Sequence, residues 1–217
     1  MGDIDWGNVV IWFTVFVFSL SVHESAHAWT ASFFGDDTAK QMGRISLSPE
    51  THIDPIGTIL FPLINITGVA GGLLLFGWAK PVPVNPLNLR DRRKAEILIS
   101  LAGPASNVVL AVLAIIPLKL IFHTQFGLAQ ALGQLAPAIE QMLFTGVTLN
   151  VGLAVFNMLP IPPLDGSHIV RNLLPDSLVA AYDSFAQFGF LLLYVLAYTG
   201  ITGYITSPIY TLLFKVL

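Results

Sequence analysis

Val9-Val-Ile-Trp-Phe-Thr-Val-Phe-Val-Phe-Ser-Leu-Ser-Val22 runs without a charge into His23-Glu24-Ser25-Ala26-His27. The run has the apolarity of a membrane helix. It nevertheless carries two imidazoles and a carboxylate to bilayer depth, where ionisable groups are costly and usually functional. Trp6 and Trp29 bracket it, roughly 35 Å apart on a helix rising 1.5 Å per residue, a separation that suits aromatic anchors at two interfaces. The expected first span therefore runs from about Trp6 to Phe34 and ends at Gly35-Asp36-Asp37. On such a helix, positions i and i+4 share a face about 6 Å apart along the axis. His23 and His27 can then share a zinc ion at about 2.0–2.1 Å per bond. Glu24 lies beside one ligand and can reach a water at the metal without coordinating it, placed to accept a proton during attack. The bland alternative is a histidine pair satisfied by neighbouring helices; three polar groups together in lipid weigh against it.

Composition extends this outward. Only 11% of the 217 residues are charged and 54% are hydrophobic, against roughly 25% charged in a soluble domain, so the chain reads as an integral membrane protein. Each crossing takes about 20 apolar residues. Four crossings occupy most of the length, which predicts a single membrane-embedded domain over 1–217, with its core at 6–174 and C-terminal helices at 177–217. A formal charge of -3 gives no reason to expect nucleic acid as a partner. Without cysteine, any transition metal must be held by His, Asp or Glu. Asp3 and Asp5 precede the first apolar run and no small-residue cleavage site follows, so the run is expected to be retained rather than removed as a signal peptide.

Residues 36–55 form a polar connection with Lys40 and Arg44, broken by Pro49 and Pro55. Ile56 to Ile66 is too short to span and contains Pro62, which predicts a re-entrant segment. The alternating Val and Pro of residues 76–85 cannot be helical and are expected to be extended, at an edge. Further spans are expected at about Asp91–Ile121, Ala138–Met158 and Ser177–Tyr198, with a short helix at Gly166–Leu174 and an apolar tail at 201–217 that either spans or does not. The expected fold class is thus all-α: about four to five transmembrane helices plus a re-entrant segment with a short β-hairpin. Lys40, Arg44, Lys80, Arg90, Arg92, Arg93, Lys94 and Arg171 belong on the cytoplasmic side by the positive-inside rule. A multi-pass protein of the cell membrane follows, with its N-terminus outside. Lys119, near the outer end of the second span, is the one exception and can snorkel.

A hydrolytic zinc site needs a third protein ligand and an open position. Asp165, in Asn157-Met-Leu-Pro-Ile-Pro-Pro-Leu-Asp165-Gly166, is the best candidate. The topology brings it to the same depth and the same cytoplasmic side as His23 and His27. The alternative is a turn aspartate after a Pro-rich helix stop.

An H-E-x-x-H in a membrane helix followed by N-x-x-P-x-P-x-x-D-G resembles the site-2 protease family of intramembrane zinc metalloproteases. Gly103-Pro-Ala-Ser-Asn107, the Gly77–Asn85 stretch and His52-Ile-Asp-Pro-Ile-Gly57 add to the likeness, which covers roughly Val9 to Arg171. The resemblance implies that His23, His27 and Asp165 hold one zinc per chain and that Glu24 is the general base. It places Asn157 near the site, where it either steadies a developing oxyanion or makes an interhelical hydrogen bond. Asn107 is expected at the substrate, or else as a structural residue where Gly103 and Pro104 allow close helix approach. Val82 and Val84 lie on the stretch expected to hold an unwound substrate by strand addition; a Pro-rich loop covering the site is the alternative. The implied partners are single-span membrane proteins within the lipid bilayer, cut near the cytoplasmic face. A metal-ion transporter and an inactive membrane scaffold are the competing readings. No motif assigns a role to His52 or His168, or an oligomeric state.

Overall fold

Asp5 starts the first helix. Its carboxylate accepts the backbone N–H of Asn8 at 3.1 Å and the Asn8 side-chain amide at 2.8 Å. This N-cap satisfies a donor that the first turn leaves free, and α1 (Trp6–Phe33) follows for 28 residues. Gly35, at φ 105°, turns the chain away in a conformation only glycine adopts readily. The computed structural model describes residues 4–67, 77–122 and 128–216.

A short α2 (Thr38–Gln41) follows, and later a single π-helical turn, Pro55–Leu60, leads into α3 (Phe61–Ile66). The remaining helices are α4 (Arg92–Phe122), α5 (Leu128–Ala131), α6 (Ala136–Asn157), α7 (Asp165–Leu173), α8 (Asp176–Ala186), α9 (Gly189–Tyr198) and α10 (Ile201–Val216). Among the described residues, three helical stretches are each long and apolar enough to cross a membrane: Trp6–Phe33, Arg92–Phe122 and Gly133–Asn157. They match the first three expected spans to within a few residues. The expected fourth span is instead two helices, α8 and α9, meeting at a bend of 67°. Gly189 sits at this break, where a Cβ would lie 1.9 Å from the Pro162 carbonyl oxygen, so only glycine lets α9 begin against that loop. Leu193 of α9 then packs with Ile161 and Leu164, and Leu192 and Leu196 join the same cluster.

α4 is the central element, packed against α1, α6 and α7, and α1 also meets α6. α4 carries Pro104 and Pro117 in its interior, which membrane helices tolerate when neighbours satisfy the freed backbone groups.

The connection after α1 is less solvated than its composition suggests. Asp36 is fully buried. It accepts from the Asn85 backbone N–H at 2.6 Å, the Asn88 side-chain amide at 2.9 Å and the Thr38 hydroxyl at 2.5 Å. Arg44, expected on the cytoplasmic side for its charge, is buried as well and donates to the carbonyls of Lys80 and Pro81. The Lys80 N–H reaches His52 O at 2.9 Å, the Trp78 N–H reaches Gly57 O at 3.2 Å, and the Thr58 hydroxyl reaches Trp78 O at 2.7 Å. Residues 77–85 are therefore non-helical, as expected, but side chains and turns pin them in place. No strand, and so no hairpin, occurs among the described residues. Residues 68–76, including Gly71-Gly72 and Phe76 of the expected re-entrant segment, lie outside them.

Candidate metal centre

α1 brings His23 and His27 to its buried face, one turn apart. Asp165 arrives from the other direction, as the first residue of α7. Gly166 permits that approach: a Cβ there would lie 2.3 Å from the carbonyl oxygen of Met158 at the end of α6. His23 Nε2 lies 3.2 Å from Asp165 Oδ2, His27 Nε2 lies 3.3 Å from Asp165 Oδ1, and the two Nε2 atoms are 3.0 Å apart. One ligand atom from each of the three residues falls within 4.8 Å of the others.

The outer ring nitrogens show what this cluster fits. His27 Nδ1 is 2.7 Å from the backbone carbonyl of Ile99. A carbonyl can only accept, so Nδ1 carries the proton and neutral His27 presents a lone pair at Nε2. His23 Nδ1 is 2.6 Å from Asn107 Oδ1, which leaves the same lone pair at its Nε2. Asp165 Oδ2 is buried and receives no hydrogen bond. Three acceptors thus face one another in a buried space, an arrangement that repels itself unless a cation or proton sits between them. Two imidazole nitrogens and a carboxylate are the donor set of a catalytic zinc site, and outer-nitrogen hydrogen bonds commonly orient such ligands. The residues present fit a zinc ion.

Gly103 makes room for the pair. A Cβ at that point of α4 would lie 2.4 Å from His27 Nε2 and 2.5 Å from His23 Nε2. Glu24 lies within electrostatic range of both histidines, Asp165 and Arg44. The other sequence-predicted residues are placed differently. Asn107 is completely buried, with its oxygen on His23 and its amide nitrogen donating to Asn150 Oδ1 at 2.8 Å. Both ends of its amide are engaged, so it has no face for a substrate. Asn157 donates to Leu153 O of its own helix at 3.0 Å. Val84 packs against the buried cluster of Ala31, Leu89, Ala95 and Ile99, so its side chain braces the α1–α4 contact. Val82 is half-buried. His52 is buried and hydrogen-bonds Ser46 O at 2.8 Å, and it is not one of the three residues that converge. No pattern of residues singles out Asn150, Ser19 or the Ile99 carbonyl; the spacing of Gly103 and Asn107 is visible, and only their contacts are missing from it.

Residues 11–196 match the model of peptidase family M50. A protein of Bacillus subtilis named "Putative zinc metalloprotease YwhC" is 39% identical over 192 residues, covering 88% of this chain and 82% of that protein. Two mycobacterial proteins named "Putative zinc metalloprotease Rip2" are 33% identical over 183 residues (Mycolicibacterium smegmatis) and 32% identical over 182 residues (Mycobacterium tuberculosis). The matches cover 83% and 82% of this chain but only 64% and 62% of those proteins, a little under two thirds of their length. No solved structure gives a significant match.

Proposed function

Because the chain belongs to peptidase family M50, the site-2 proteases, and is a membrane metallopeptidase, we propose that it cleaves transmembrane segments near the cytoplasmic face. Its partners in this reading are single-span membrane proteins, and its metal is one zinc per chain held by His23, His27 and Asp165. The observation that carries the reading is the convergence of these three residues on a single buried point, with both imidazoles turned so that their lone pairs meet the carboxylate.

Zinc bound there supplies Lewis-acid chemistry, polarising the scissile carbonyl and making water a competent nucleophile near neutral pH. The protein's own groups do the rest. Glu24, on the same helix turn as the ligands but absent from the donor cluster, takes the proton from the attacking water and returns it to the departing amine. Its place directly after His23 on α1 keeps it beside the point of attack. Asn157, at the last turn of α6, is the side-chain amide best placed in sequence to meet the oxyanion. To do so it must exchange its bond to Leu153 O for one to substrate. A substrate helix must also be unwound before its backbone is exposed. Residues 77–85 suit that task, because they are non-helical and Arg44 and Asp36 pin their backbone at Pro81 O and Asn85 N. Val82 is then the position where proline would block strand addition.

Two features support a cytoplasmic location. His27 is six residues from the end of α1, roughly 9 Å at 1.5 Å per residue. Arg92, Arg93, Lys94 and Arg171 lie at the matching ends of α4 and α7. The basic side faces the cytoplasm by the positive-inside rule, and the N-terminus then lies outside.

The test is cleavage of a panel of single-span substrates by purified wild type and by Glu24→Gln. Wild type should cut and the variant should not, while both retain one zinc per chain. Equal cleavage by the two proteins would remove Glu24 from the reaction, and absence of zinc from wild type would remove the metal centre.

A further inference from the structure

We propose that Asn150 sets the tautomer and aim of His23, acting through Asn107, and is therefore a positioning residue of the metal centre. The proposal rests on the reading above that His23 Nε2 is a metal ligand. The side chains form one chain of bonds across α1, α4 and α6, and its direction is set at one end. Gly146 O is a backbone carbonyl and can only accept, so the Asn150 atom 2.8 Å from it is the donor Nδ2. The other Asn150 atom is then Oδ1, which can only accept, and the Asn107 atom 2.8 Å from it is Nδ2. That leaves Asn107 Oδ1 facing His23 Nδ1 at 2.6 Å, so this ring nitrogen holds the proton. The lone pair of His23 is thereby directed at Asp165 and His27.

His27 needs no such relay, because its partner is a backbone carbonyl whose polarity cannot reverse. Asn107 is different. Its amide has nearly the same shape in either orientation, and a reversed Asn107 would offer N–H to His23 Nδ1. The proton would then move to Nε2 and point at the metal. With Asn107 fully buried and Asn150 3% exposed, the partner that holds the amide in one orientation is Asn150 rather than bulk water. Asn150 Nδ2 also reaches Ser19 Oγ at 2.9 Å. A hydroxyl donates or accepts equally well, so Ser19 does not decide the direction.

Zinc affinity of the full chain in detergent, by chelator competition, tests this together with histidine-ring ¹⁵N NMR of the metal-free protein at a pH where the ring is neutral. The His23 signal is identified by its loss in His23→Gln. Wild type should show His23 protonated at Nδ1. Asn150→Leu should bind zinc about 10- to 100-fold more weakly, the usual effect of losing a group that orients a ligand, and should populate the Nε2–H tautomer. Ser19→Ala should keep wild-type affinity. Wild-type affinity in Asn150→Leu overturns the proposal. So does a loss in Ser19→Ala as large as that in Asn150→Leu, since the chain would then merely tie α1 to α6. The wild-type ring signal decides even if Asn150→Leu fails to fold: Nε2–H there overturns the relay. A wild-type protein that takes up no zinc overturns the metal-site reading as well, whereas equal zinc in wild type and Asn150→Leu overturns only the relay.

Discussion

Replacing Gly103 by alanine tests the centre with one methyl group. The new Cβ would lie 2.4 Å from His27 Nε2, 2.5 Å from His23 Nε2 and 2.6 Å from His23 Cε1, where ordinary contact begins at 3.4 Å. Relief therefore needs a displacement of about 1 Å, by α4 or by the rings. Neither is free. α4 holds His27 through Ile99 O at 2.7 Å and His23 through Asn107 Oδ1 at 2.6 Å. A 1 Å retreat stretches both beyond hydrogen-bond range, at a cost of roughly 1–3 kcal/mol for each buried group left unsatisfied. If the rings move instead, their lone pairs turn away from Asp165. On either route zinc affinity should fall by at least about 10-fold, the lower end of what losing orienting contacts costs, and cleavage should fall with it. Chelator competition and metal analysis of purified Gly103→Ala give the affinity, and thermal unfolding in detergent reports whether the fold survives. A folded Gly103→Ala that binds zinc as wild type does would show that α4 does not press on the histidine pair.

Gly166→Ala should be more damaging to the fold, because its Cβ meets rigid backbone, Met158 O at 2.3 Å and Leu159 O at 2.6 Å. Overpacking of this kind costs about 1–3 kcal/mol, read as a lower unfolding temperature, and the displaced α7 should also lose zinc; unchanged stability would contradict the packing. Asp36 should give the protein an acid-sensitive component. Burial raises its pKa, but hydrogen bonds from Thr38, Asn88 and the Asn85 N–H overcome this and hold it below the ordinary 3.8. Its contribution to stability is therefore complete above the unfolded-state value and is lost as pH falls through the lower folded-state value. Asp36→Asn should be less stable than wild type at neutral pH by roughly 1–3 kcal/mol. The gap should narrow on acidification below about pH 4, where the unfolded-state carboxyl titrates; parallel acid profiles would refute the assignment.

What the sequence disclosed divides by the range of the interaction. The start of α1 was legible because Trp6 opens an uncharged apolar run and Trp29 follows it at about a bilayer's thickness along the same helix. His23 and His27 were legible because helical periodicity puts them together, and Asp165 because topology returned it to the same depth. Asn150 and Ser19 were not, since a lone amide and a lone hydroxyl in apolar helices carry no local sign of partners 43 and 131 residues distant. Asp36 looked like a helix stop for the same reason: its role appears only when Asn85 and Asn88 fold back onto it. The break between α8 and α9 has no proline to mark it; Gly189 makes the bend possible through a contact with Pro162 that lies 27 residues away in sequence. Arg44 was counted by its charge, although its guanidinium serves two backbone carbonyls inside the fold.

The contact between Gly189 and the Pro162 carbonyl ties α9 to the loop that leads into Asp165. α9 contributes no donor to the centre, yet its leucines wedge the proline loop that delivers Asp165. A protein shortened after α8 would keep His23, His27, Asp165 and the whole H-E-x-x-H helix but lose the buttress behind the aspartate. Such a remnant should lose its grip on the ion although its inventory of donors is intact.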